Sequence, residues 1–154
     1  MDEHEEKLKQ WLKANGVQGE HLSFKQSCHS VEEAARAASA PMDEFVKNVC
    51  MVDVQNRLIV AIVKGEDRAS TERVAKALNI ERPRLATPEE ILERTGFPCG
   101  GTPSFGYAAV FLVDQRVLEK KVVYTGGGSE NSLVRIASDE LVKANKGEVV
   151  RIRK

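Results

Sequence analysis

Two segments of this chain combine residue types that can do chemistry on a polar ligand. One is a lysine inside an otherwise apolar run, Phe45-Val46-Lys47-Asn48-Val49-Cys50-Met51-Val52, and the other is the glycine loop GFPCGGTPSFG from Gly96 to Gly106. Apolar side chains on both faces predict a strand covered on both sides, where an ammonium group finds a partner or loses its proton. Lysines in strands also serve as edge gatekeepers or snorkelling side chains, so residue type alone leaves the role of Lys47 open. Closely spaced glycines let the backbone approach a ligand and present N–H groups to it, although such loops also occur as plain turns.

Backbone N–H groups at Gly100 and Gly101 are candidates to stabilise an oxyanion, as hydrolysis of an activated ester requires. Lys47 can bind a terminal phosphate, orient the reacting group or, with its pKa lowered by burial, act as a base. Cys99 competes as an acyl-accepting nucleophile with His29 as its base, against the plainer reading of a variable loop position. Thr102, Ser104 and Tyr107 are candidate pocket residues, and their hydroxyls can equally satisfy turn hydrogen bonds. Gly126-Gly127-Gly128 reads as a further pocket wall or as a flexible turn.

These segments and those around them resemble the YbaK/ProX family of aminoacyl-tRNA deacylases, which also occurs as an editing domain inserted in bacterial prolyl-tRNA synthetases. His29-Ser30-Val31-Glu32-Glu33-Ala34-Ala35 is similar to the start of the family's first helix, and Val46-Lys47-Asn48 to the strand bearing its functional lysine. GFPCGGTPSFG is similar to a family loop that often reads GFxxGGxPPFG, and GGGSENSLVRIASDEL to its closing turn, strand and helix. The resemblance runs from about His29 to the C-terminus. Ser104 stands where the family often has a second proline, and Tyr107 where many relatives carry histidine.

The resemblance implies an α+β fold with a mixed, partly closed β-sheet and surrounding helices. It also implies a trans-editing deacylase acting on a tRNA mischarged with a small amino acid. Lys47, Gly100 and Gly101 take the catalytic positions. Substrate contacts fall to His29, Phe97, Thr102, Pro103, Ser104, Phe105, Gly106, Tyr107, Gly127 and Gly128. Its partners are the acceptor end of the tRNA and an aminoacyl-tRNA synthetase. The alternative is a non-catalytic module that binds a tRNA acceptor end or a synthetase.

Bulk properties agree with a single domain over residues 1–154. The composition is 42% hydrophobic and 30% charged, as in ordinary soluble domains. With 23 basic and 23 acidic residues, the chain lacks the field of a non-specific nucleic-acid binder, so DNA is not expected as a partner. Local basic patches remain at Lys120-Lys121, Lys143 with Lys146, and Arg151 to Lys154. Aromatics at 5% argue against a broad RNA-stacking platform. Three scattered cysteines and three histidines without ligand spacing predict no disulfide, no metal and no cofactor. No apolar run reaches membrane-spanning length and MDEHEEKLKQ is unlike a secretory signal, so a cytoplasmic location without membrane contact is expected.

The elements that must position these residues are legible by period and punctuation. Leu8, Trp11 and Leu12 stripe an amphipathic helix that stops at Gly16. A short strand near Leu22 to Phe24 follows, then a helix opened by Ser30 and Glu33 and ended before Pro41. Val46–Val54 and Leu58–Val63 predict a hairpin, and Ser70–Leu78 a helix. Thr87, Pro88 and Glu90 mark the start of a helix ending at Gly96. Ala108–Val113, Val117-Leu118, Val122–Tyr124 and Ser132–Ile136 read as strands, with a Ser138-capped helix and a Val149–Ile152 strand closing the chain.

Overall fold

The computed structural model describes residues 2–154. Two sheets form the frame. The larger has five strands in the order β4-β2-β3-β5-β8, and the smaller has three in the order β1-β7-β6. These are β1 Gly19–Ser23, β2 Val46–Val52, β3 Leu58–Lys64, β4 Arg84–Leu85, β5 Val110–Val113, β6 Val122–Gly126, β7 Ser132–Ala137 and β8 Glu148–Val149. The α-helices are α1 Glu3–Ala14, α2 Val31–Ala38, α3 Thr71–Leu78, α4 Pro88–Thr95 and α5 Ser138–Asn145. The fold is α+β, with antiparallel and parallel pairs mixed in the larger sheet: β3 pairs antiparallel with β2 and parallel with β5. The strands do not close into a barrel. A single parallel bridge between Phe45 and Tyr124 joins the sheets.

β3 explains the layering. All seven of its residues are buried, and a strand's side chains alternate between faces. Leu58, Val60 and Ile62 enter the main core, which lies between the sheets and takes in Leu8 and Leu12 of α1, Ile91 of α4, Val134 and Ile136 of β7 and Leu141 of α5. Ile59, Ala61 and Val63 enter a second core with Val74 of α3 and Ile152. Because both faces are covered, the strand reads as an unbroken apolar run. A third cluster packs Ala34 and Ala35 of α2 on Phe45, Tyr124 and Leu133, beside the junction of the two sheets.

Local signals hold where side chain and backbone can satisfy each other within a few residues. Thr87 and Glu90 form a reciprocal capping box on α4, Pro88 opens the helix and Gly96 ends it at φ 81°. The β2–β3 turn is fastened by Asp53, whose Oδ1 accepts from the backbone of Gln55 at 2.9 Å and Arg57 at 2.8 Å. Because Asp53 is committed to this turn, β2 ends at Val52 rather than Val54.

Three further expectations differ. Val117-Leu118 lies in a 3-10 turn, Gln115–Glu119, because Asp114 accepts from Arg116 N–H and initiates a turn instead of a strand. Ser138 is the first residue of α5, not its cap: its hydroxyl donates to the Lys120 carbonyl at 2.6 Å, and the cap position is Ala137. The last strand, expected over Val149–Ile152, is Glu148–Val149 paired with β5; Val150 N–H still donates to the Val113 carbonyl at 3.0 Å, and the Ile152 and Arg153 backbones turn to Asp114 instead.

Candidate active site

The cavity opens where the sheets part. β4 pairs only with Met51 and Val52 of β2, which leaves that edge of β2 without a strand along Val46 to Val49. Here the β2 backbone faces β6, the start of α2 and the glycine loop around a cavity of about 270 Å³. Val31, Ala34, Phe45, Tyr124 and Leu133 give it an apolar floor. His29, Lys47, Asn48, Thr102, Thr125 and Ser132 give it polar walls.

Lys47 lines this cavity and is half-buried, because β2 is fully covered at Val46 and from Cys50 onward but only partly at Lys47 to Val49. No described carboxylate reaches ion-pair distance of its ammonium group. Burial lowers its pKa, with Arg68 reinforcing the shift and Asp67 opposing it. The outcome is a partly desolvated cation at a cavity wall with free hydrogen-bonding capacity.

Asn48 points to the opposite face of β2 and meets a closed polar ring. Its amide nitrogen donates to the Thr102 carbonyl at 2.9 Å and to Thr125 Oγ1 at 3.0 Å, while its carbonyl oxygen accepts from Ser104 Oγ at 2.6 Å. Ser104 thereby spends its only proton, so the 2.7 Å contact between Ser104 Oγ and Thr125 Oγ1 is donated by Thr125. Ser104, fully buried, ties the glycine loop to β2 and β6 from behind the cavity wall.

The glycine loop divides at its middle. Cys99, Gly100 and Thr102 line the cavity. Gly100 sits against the His29 imidazole and Glu130 with no space for a Cβ, and its own N–H donates to no described residue. Gly101 is buried against the Ser129 backbone; its N–H is committed to the Pro98 carbonyl at 2.9 Å and its carbonyl accepts from Gly128 at 2.8 Å. Of the two backbone donors expected for an oxyanion, Gly100 is therefore the one left free.

Phe97 and Phe105 are fully buried in the main core, and Trp11 stacks on Phe105 with ring centres 5.5 Å apart. Tyr107 packs on Phe97 and Phe111 and donates to the Pro103 carbonyl at 2.7 Å; burial raises its phenol pKa well above the ordinary value. Gly106 lies beneath Leu8 and Trp11. These residues, with Pro103, support the loop from behind and do not line the cavity.

His29, just before the Ser30 cap of α2, stands exposed at the rim with Nδ1 3.5 Å from Glu130 Oε1. Cys99 is exposed, whereas Cys28 and Cys50 are buried, their thiols pushed up to about 11 and about 12 mainly by desolvation. In the second glycine turn, Gly126 lines the cavity, and Gly127 and Gly128 are buried behind it. Asn48, Thr125 and Ser132 are site residues that the sequence reading passed over, whereas Gly126 lies in the glycine turn it named as a pocket wall. Asn48 had a signal, as an amide beside Lys47 in an apolar strand; Thr125 and Ser132 had none. Among the described residues, no group of three His, Cys, Asp or Glu side chains is arranged to hold a metal ion, and no helix is long and apolar enough to cross a membrane.

This fold belongs to a known class. The sequence model described as "Aminoacyl-tRNA editing domain" matches residues 25–144, and the chain is a member of that YbaK-like family. The uncharacterized protein YwhH of Bacillus subtilis (strain 168) is 26% identical over 135 residues, which cover 86% of this chain and 82% of YwhH. A proline–tRNA ligase of Thermotoga neapolitana is 26% identical over 98 residues; the match spans 64% of this chain and 17% of the ligase. Among solved structures, hypothetical protein APE2540 is 30% identical with a TM-score of 0.88 over 96% of this chain and 99% of that one. A protein provisionally assigned as a trans-editing enzyme for prolyl tRNA synthetase shares the fold at a TM-score of 0.92 and 24% identity, covering 100% of this chain and 99% of its own.

Proposed function

We propose that this protein is a free-standing deacylase that hydrolyses, in trans, the ester joining a small amino acid to the acceptor end of a mischarged tRNA. The observation that carries this reading is Lys47: in a chain of the editing family, a lysine with no carboxylate at ion-pair distance lines the same cavity as Gly100, whose N–H donates to no described residue. An aminoacyl ester already has a good leaving group, so the site's main tasks are positioning and charge stabilisation. Water adds to the carbonyl carbon and the carbonyl electron pair moves to oxygen, where the Gly100 N–H and the Lys47 ammonium meet the developing charge. Collapse expels the ribose oxygen, which takes a proton, and releases the amino acid and the tRNA.

The cavity's size favours small side chains. Its volume of about 270 Å³ lies below that of most small-molecule pockets, ~300–1,000 Å³. Discrimination among small residues will be shallow, because one methylene is worth only ~1–3 kcal/mol.

The test compares kcat/KM across tRNAs charged with alanine, serine, threonine, cysteine, proline and phenylalanine, using catalytic amounts of protein. Turnover of the small esters, lost in Lys47→Ala while the thermal melt is retained, is the expected result. A preference for the phenylalanyl ester refutes the compact pocket. Binding of tRNA without turnover of any ester transfers the assignment to the alternative, a module that binds an acceptor end or a synthetase. Cys99→Ala is expected to keep substantial activity, and a trapped thioester on Cys99 would contradict the direct-water route.

A further inference from the structure

Glu5, in the first turn of α1, is a buried carboxylate that forms no ion pair with any described side chain. Its side-chain partners are hydroxyls. Ser23 Oγ donates to Oε1 at 2.5 Å, and Ser129 Oγ donates to Oε2 at 2.7 Å. A carboxylate accepts and cannot donate, so the single hydroxyl proton of Ser129 is committed to Glu5. The Ser129 and Ser132 hydroxyl oxygens are 2.9 Å apart, and with the Ser129 proton spent, any bond between them is donated by Ser132. The Ser132 hydroxyl's other acceptor, the Ser129 carbonyl at 3.3 Å, belongs to the same residue, so in either case its proton turns toward Ser129.

The remaining capacities are countable. Ser129 Oγ also accepts from Asn131 N–H at 3.2 Å, and Ser132 Oγ accepts from Ser129 N–H at 3.1 Å. Ser132 is left with one lone pair and no free proton, and it lines the cavity. The helix that carries Glu5 grips both site loops. The His4 carbonyl leaves no space for a Cβ at Gly128, and Lys7 Nζ donates to the Gly96 carbonyl at 3.3 Å while lying 4.5 Å from the centre of the Phe97 ring. Helix α1 lies wholly before residue 25, where the family match begins.

We propose that Glu5 is a positioning residue for the cavity. Acting through Ser129, it holds Ser132 as a hydrogen-bond acceptor, so that this wall takes a donor group of the ligand, a hydroxyl or an ammonium. The proposal rests on the editing reading for the identity of that ligand, since an aminoacyl-tRNA end carries both groups.

The test is Glu5→Gln, which keeps the shape but leaves one acceptor oxygen where the carboxylate offered two, so that Ser23 and Ser129 can no longer both donate as they do to Oε1 and Oε2. With an aminoacyl-tRNA that the wild type hydrolyses, kcat/KM is expected to fall on the order of ten-fold, as for one misdirected hydrogen bond to a charged partner, mostly through KM. Ser129→Ala should fall similarly, and the double variant should be no worse than either single one, because both break the same chain. Amide hydrogen exchange at Gly128, Ser129 and Asn131 should quicken in Glu5→Gln while β3 stays protected. That readout holds even if the wild type hydrolyses no ester. Additive losses, an unchanged kcat/KM in an active protein, or unchanged exchange at these amides would overturn the proposal.

Discussion

A half-buried lysine with no carboxylate at ion-pair distance is informative because the cost of burying its charge is only partly offset. Burial lowers the Lys47 pKa, Arg68 adds to the shift, and Asp67, paired with Arg116 at 2.7 Å, opposes it. If the ammonium form does the work, kcat/KM is highest below the Lys47 pKa and is lost as pH rises through it. Removing a neighbouring cation raises that pKa, so Arg68→Ala is expected to carry the alkaline limb to higher pH. A profile that instead climbs as Lys47 deprotonates would make the lysine a base. Thiol chemistry separates the three cysteines in the same way: Cys99 is exposed, whereas desolvation holds Cys28 and Cys50 in their neutral form. Alkylation of the native protein should modify Cys99 alone, with Cys28 and Cys50 reacting only on unfolding. Modification of either buried thiol in the folded protein would contradict the packing of Cys28 in the cluster beneath the cavity or of Cys50 in the main core.

At the scale of elements, α4 sets where the glycine loop begins. The Thr87 hydroxyl accepts from Glu90 N–H at 3.2 Å, the Glu90 carboxylate accepts from Thr87 N–H at 2.9 Å, and Arg84 donates to the same carboxylate at 2.8 Å. Arg84 first, then Thr87 N–H, hold the Glu90 pKa at about 2, well under the usual range. Thr87→Ala should cost about 1 kcal/mol, a fall of about 2–4 °C in melting temperature for a chain of this size. An unchanged melt would show that the cap does not limit stability. This cap was legible in the sequence because its residues lie within three positions of one another. The sides of the glycine loop were not. Phe97, Phe105 and Tyr107 turn away from the cavity because α1, far off in sequence, supplies Leu8 and Trp11 for them to pack against. Local pattern carries no record of that contact.

For the molecule as a whole, Asp114 fastens the C-terminal segment. Fully buried, it accepts from the backbones of Ile152 at 2.9 Å and Arg153 at 3.1 Å and meets the Arg153 guanidinium at 3.1 Å. Burial pushes its carboxyl up, but the backbone donors of Ile152, Arg116 and Arg153, with the Arg153 charge, outweigh it and hold the pKa below the ordinary value. A depressed folded-state pKa stabilises the fold above the unfolded value of about 3.9 and loses that contribution as pH falls below it. The melting temperature should therefore drop as pH falls below about 4, and Asp114→Asn should be less stable at neutral pH and less sensitive to acid. Equal acid sensitivity in the variant would move the cause to another carboxylate.

The sequence by itself determined the family, the α+β class and most elements, because period, caps and turn residues act within a few positions and leave their record there. It also singled out Lys47 and the glycine loop. Only the tertiary structure decided which parts of that loop face the cavity: Gly101 spends its N–H on Pro98, Gly100 keeps its own, and the aromatic residues turn inward. It alone joined Asn48, Ser104 and Thr125 into one ring and Glu5 to Ser129 across 124 positions. A hydrogen bond depends on a distance of about 3 Å and on direction. Neither is written in the spacing of residues along the chain.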